Sequence, residues 1–174
     1  MNDELHITQI IISAITAACA VVIPVLFHLL GLGSIFLPMF IPLSIGAYFL
    51  TPAFALLTGT IAPITSTVLT GMPPLYPPIA IIMMIELSLF CFFISLLKQK
   101  FYLNNYLIIV FAIIFDRIIL YVLYAIVLPY FNVSFAMFSL YDLFKSFPGI
   151  ILLILITPTA VNGINVIIQK NAGR

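Results

Sequence analysis

Glu86 interrupts the apolar run "IIMMIELSLF", and Asp116 and Arg117 interrupt "VFAIIFDRIILYVLY". These three ionisable side chains are the residues best suited to hold a polar small molecule. A charge at the centre of a helix in lipid costs about 2.5–3.5 kcal/mol on insertion scales, so such groups face a bundle interior, a partner or a ligand. At 1.5 Å of rise per residue, Glu86 lies roughly 12 Å and Arg117 roughly 17 Å below the predicted outer ends of their helices. At those depths the two can pair or line one pocket. Asp116 is an alternative partner for Arg117, although neighbours on a helix point about 100° apart. Three readings stay open: an ion pair that fixes helix packing, the lining of a ligand site, or contact with another subunit.

The remaining candidates carry weaker chemistry. His28, in "VLFHLLGLG", stands near the outer end of the first apolar run, with no second histidine nearby and no acidic partner at helical spacing. It can meet a ligand or snorkel to the interface, and it does not suggest a metal site. Cys19 and Cys91 both sit in apolar runs, where a thiol acts as a small hydrophobe. They form neither a disulfide framework nor a metal-ligand spacing. No phosphate-binding "GxxxxGK[ST]", no "HExxH", no Gly-x-Ser-x-Gly elbow and no paired acid and base occur. The expectation is a protein that is not an enzyme and carries no cofactor or metal of its own.

What must position these groups is a membrane-embedded bundle. Hydrophobic residues make up 64% of the 174-residue chain and charged residues only 6%, whereas a soluble domain carries about 25% charged residues. The mean hydropathy is +1.33. A net charge of +1 gives no case for a nucleic-acid partner. The expected fold is a single all-α domain over residues 1–174, with six transmembrane helices, Pro-rich breaks and short loops. The apolar runs place the spans at about 8–30, 36–50, 52–71, 78–97, 104–128 and 147–168. The second is short, and Pro38 and Pro42 in "FLPMFIPL" make it irregular. Broken backbone at membrane depth needs protein or a wet cavity around it. The segment from about 129 to 146 reads as an outer loop.

Basic residues set the expected orientation. With the N-terminus inside, Lys98, Lys100, Lys170 and Arg174 fall on inner segments and only Lys145 on an outer one, as the positive-inside rule requires. Both termini are then cytoplasmic. The start, "MNDELHITQ", lacks the basic region of a secretory signal and is expected to be retained. The same orientation puts "TGMPPLYPP", Thr70 to Pro78, outside as a stiff loop. It can cap a pocket or simply connect two helices. In the first span, "SAITAACA" sets Ala14 against Ala18, Ser13 against Ala17 and Thr16 against Ala20 one turn apart. Such small-residue faces let helices approach closely in lipid, within one chain or between chains.

His28 to Leu97 resembles the membrane-embedded S components of energy-coupling factor (ECF) vitamin transporters. The resemblance lies in "LPM", the small-residue helix after it and the "TGMPP" loop; "FPGIILLILITPTAV" resembles the last helix of the same group. The resemblance implies a high-affinity binding subunit in a prokaryotic plasma membrane, with six helices and cytoplasmic termini. Such a subunit captures a vitamin or related micronutrient at the outer face. It delivers the substrate inward with a transmembrane coupling protein and two ATPase subunits. It further implies a substrate site drawn from His28, Met39, Phe40, Met72, Pro73, Tyr76, Glu86, Arg117 and Tyr141. Ala14 and Ala18 match the family's docking pattern for the coupling protein. Many relatives carry histidine after "LPM", where this chain has Phe40, which implies a ligand held differently there. Niacin, pantothenate, a pyrimidine or pyridine vitamin and cobalamin are all open as substrates. The alternative is a self-sufficient channel or facilitator for a small solute, lined by residues such as Ser44, Thr58, Thr60, Thr65, Ser66, Thr67 and Glu86.

Overall fold

The computed structural model describes residues 2–76, 78–101, 103–131 and 135–172, with side chains for all of these except residues 2, 3, 34, 135–143 and 172. Among them every regular element is helical: α1 (Asn2–Leu29), α2 (Gly33–Phe36), α3 (Phe40–Ala47), α4 (Pro52–Thr70), α5 (Ile79–Lys100), α6 (Asn105–Val127), a 3-10 turn (Leu128–Phe131) and α7 (Phe135–Ala172). The spanning stretches of α1, α4, α5, α6 and α7 are long and apolar enough to cross a bilayer.

The expected second span is the broken one. Leu37 takes a left-handed backbone at φ 50 and separates α2 from α3. That conformation costs a non-glycine residue about 1–2 kcal/mol. Pro38 follows in the turn and Pro42 lies inside the eight-residue α3. The freed backbone is shielded because Pro38, Met39, Phe40, Pro42 and Leu43 are all buried.

Helix ends follow local chemistry. α4 starts at Pro52, whose missing N–H costs nothing at the first helical position, after an extended Thr51. The Thr51 N–H donates to Gln9 Oε1 at 2.7 Å, and Gln9 Nε2 donates to the Phe49 carbonyl at 3.1 Å. α1 thereby fastens the turn between α3 and α4. α4 ends at Gly71, left-handed at φ 71, whose N–H donates to the Thr67 carbonyl. At the start of α6, Asn104 accepts from the Tyr106 N–H at 3.1 Å.

α5 is the central helix: half of its membrane-spanning stretch is buried, against about a fifth for α1 and α7. It packs against α3, α4 and α6. The core joins Phe40, Leu43, Phe90, Ile94, Ile109 and Leu153, with Phe40 edge-on to Phe90 at 5.2 Å between ring centroids. Gly59 decides how closely α4 approaches, since a Cβ there would sit 2.5 Å from the Leu87 carbonyl oxygen. Outside this core, Ile15, Val22, Val68, Ile118 and Ile167 are exposed on α1, α4, α6 and α7. An apolar exterior of that extent belongs in lipid. This is a multi-pass membrane protein.

The last helix departs from expectation. The segment read as an outer loop at 129–146 is a 3-10 turn followed by helix from Phe135. "FAMFSLYDLFKSF" contains no glycine or proline, and α7 runs through Pro148 rather than starting there. The extension brings Lys145 and Ser146 into the bundle as part of α7.

Candidate functional site

A cavity of about 320 Å³ opens at the end of the bundle where α1 stops and the α4–α5 loop begins. α5 supplies Ile79, Met83 and Glu86, which share a face at helical spacing. α6 supplies Arg117 and Tyr124, two turns apart. The broken segment gives Leu37, Pro38, Met39 and Phe40, and the loop gives Met72, Pro73 and Pro74. Pro24, His28 and Gly33 form the side nearest α1, with the His28 ring against Gly33.

The polar centre is a single connected cluster. Arg117 Nε and Nη2 donate to Asp116 Oδ2 at 3.1 and 2.6 Å. Its Nη2 also donates to Glu86 Oε1 at 3.3 Å, and its Nη1 to Ser146 Oγ at 3.4 Å. Glu86 and Asp116 are only 4% and 2% exposed, against 18% for Arg117. Asp116 is absent from the cavity wall, whereas Glu86 and Arg117 both reach it. Arg117 therefore pairs with both carboxylates and still faces the cavity. Adjacent residues 116 and 117 can bond because the long arginine side chain folds back over its own helix.

The proline loop is fastened by hydroxyls. Ser66 Oγ donates to the Met72 carbonyl at 2.7 Å, and Thr67 Oγ1 donates to the Pro73 carbonyl at 3.1 Å. The Met72 N–H donates to Thr70 Oγ1 at 3.2 Å. On the other side, the Ala80 N–H donates to the Pro74 carbonyl at 3.1 Å. Prolines leave carbonyls as the loop's chief polar groups, and the last turn of α4 supplies donors for them.

Of the residues named from sequence, His28, Met39, Phe40, Met72, Pro73, Glu86 and Arg117 come together around this cavity. Tyr76 does not: it is 72% exposed, and its ring lies 6.2 Å from that of Phe131. The side chain of Tyr141 lies outside the described residues. Ile79, Met83 and Tyr124 were not named, yet each stands one or two turns from Glu86 or Arg117 on the same face, a signal the sequence carries. Ser146 was out of reach because its segment read as loop.

Two of the small-residue pairs of α1 fall on different sides. Thr16 and Ala20 are buried, Thr16 against Gly46 of α3. Ala14 and Ala18 are exposed beside Ile11, Ile15 and Val22.

No protein-family model matches the chain, and no curated protein and no solved structure matches it. The chain is a multi-helix membrane protein whose architecture is consistent with a role in transport.

Proposed function

We propose that this chain is the substrate-binding S component of an ECF-type importer. It binds a vitamin or related micronutrient at the outer face and hands it inward with a coupling protein and two ATPase subunits. Both termini are cytoplasmic in this reading, and the chain catalyses no reaction itself. The observation that carries the proposal is the cavity, which joins an apolar wall to a buried acid–base cluster beneath a fastened loop. A few placed polar groups in a mostly apolar hollow is the usual build of a small-molecule site. The outward Ala14 and Ala18 support a docking face for the coupling protein.

Size and chemistry narrow the ligand. About 320 Å³ stands at the small end of small-molecule sites, roughly 300–1,000 Å³. It suits a compact heterocycle and argues against a corrinoid. Glu86 offers an acceptor and Arg117 a donor, so the ligand presents both a donor and an acceptor.

A self-sufficient channel finds less support. The hydroxyls that it would need are turned to protein partners: Ser44 to Thr157 at 2.7 Å, Thr58 to the Phe54 carbonyl at 2.7 Å and Thr60 to the Leu56 carbonyl at 2.8 Å.

The test is to purify the chain alone, identify any co-purifying small molecule by mass spectrometry and titrate a vitamin panel without ATP. Tight binding of one compact heterocycle is expected. No retained ligand and no binding across the panel would overturn the proposal, and solute flux through the reconstituted chain alone would favour the channel.

A further inference from the structure

A second hollow, of about 360 Å³, lies on the bundle's outer surface between α5 and α6, in the half remote from the proline loop. Phe93 and Phe115 stack across it, with ring centroids 4.2 Å apart and planes within 18° of parallel. Leu97 and Phe111 extend it along the two helices, and Phe101 and Leu103 close its end. Among the described residues its lining side chains are all apolar, unlike those of the first cavity. Such a slot on a lipid-facing surface gives water no partners and gives a hydrocarbon chain many.

The end of the slot carries charge. Lys100 is exposed and falls on the same stripe of α5 as Phe93 and Leu97, seven and three residues further on. Lys98 stands beside it, its Nζ donating to Asn105 Oδ1 at 3.1 Å at the start of α6. No acidic residue occurs between Glu86 and Asp116 in the sequence. From Phe93 to Phe101 the slot runs roughly 12 Å along α5 at 1.5 Å per residue. That is close to one leaflet of a hydrocarbon core about 30 Å thick.

We infer that this groove is a binding site for one anionic phospholipid, with an acyl chain between the Phe93–Phe115 stack and Ile114 and the phosphate at Lys100. Aromatic and aliphatic walls select a chain rather than a polar solute. Lysine at the headgroup level selects negative charge. The site is separate from the cavity at Glu86 and does not depend on what that cavity binds.

The test uses the full chain in nanodiscs of equimolar phosphatidylglycerol and phosphatidylcholine, released for native mass spectrometry. Preferential retention of phosphatidylglycerol is expected. Lys100→Gln should lower that retention about fivefold, the effect of one lysine near a charged surface. Ile114→Trp, at an exposed position where indole fills the slot, should remove retention of both lipids while the thermal transition is kept. Equal retention of the two lipids by the unaltered chain would overturn the inference. So would unchanged retention in Ile114→Trp.

Discussion

Arg117 is clamped by its own chain neighbour, with Nε and Nη2 both bonded to Asp116 Oδ2 at 3.1 and 2.6 Å. Glu86 accepts a longer bond from Nη2 at 3.3 Å. The two carboxylates thus divide the work: Asp116 orients the guanidinium from outside the cavity wall, and Glu86 lies on the wall itself.

This division predicts opposite phenotypes. Asp116→Asn leaves a largely buried guanidinium without its closest countercharge, so stability should fall by about 3 kcal/mol. Glu86→Gln keeps the shape and should move the thermal transition less. It should weaken ligand binding by about tenfold or more, since hydrogen bonds to charged groups are worth about 1.5–3 kcal/mol. Thermal unfolding in detergent and calorimetric titration read the two effects. The reverse order of phenotypes would reassign the roles.

Loop fastening is testable through kinetics. Ser66→Ala removes the 2.7 Å bond to the Met72 carbonyl, a loss of about 1 kcal/mol. Ligand dissociation should quicken and protease cleavage near residues 71–76 should increase. An unchanged off-rate would show that the loop does not gate the cavity.

Met83 and Tyr76 form a matched pair. Met83 lines the cavity one turn from Glu86, whereas Tyr76 faces Phe131 and solvent or lipid. Met83→Ala should therefore reduce affinity more than Tyr76→Ala, by isothermal titration. A larger effect at Tyr76 would mean that the loop folds inward when the site is occupied.

Helix approach at Gly59 should tolerate no side chain. A Cβ would stand 2.5 Å from the Leu87 carbonyl oxygen, a backbone atom that cannot swing aside. Gly59→Ala should cost about 1–3 kcal/mol through overpacking, read as a lowered thermal midpoint. Gly163, where a Cβ would meet nothing within 4 Å among the described residues, is the control.

Docking predicts a split between binding and uptake. Ala14→Leu and Ala18→Leu enlarge an exposed face, and neither position lines the cavity. Each should leave ligand affinity intact while abolishing uptake by the assembled importer. Wild-type uptake in both variants would remove α1 as the docking helix.

The membrane class, most of the long helices, the break around Pro38 and the buried charges are written in local sequence. Hydropathy, proline's missing donor and the cost of a charge in lipid act residue by residue. So does helical spacing, which makes Met83 and Tyr124 recoverable from Glu86 and Arg117. The proline loop was visible as a stiff segment, but not the serine and threonine donors that hold it. Contacts between segments belong to the fold. Only there does Arg117 meet Glu86, Asp116 and Ser146 at once, and only there do the stripes of α1 part into a buried Thr16–Ala20 face and an exposed Ala14–Ala18 face. Hydrophobic residues make up 64% of the chain and fall on every face of the long helices, so composition cannot say which face of a helix is inside. That is decided by close approach at residues such as Gly59 and Gly46, because in lipid packing has to replace the hydrophobic drive.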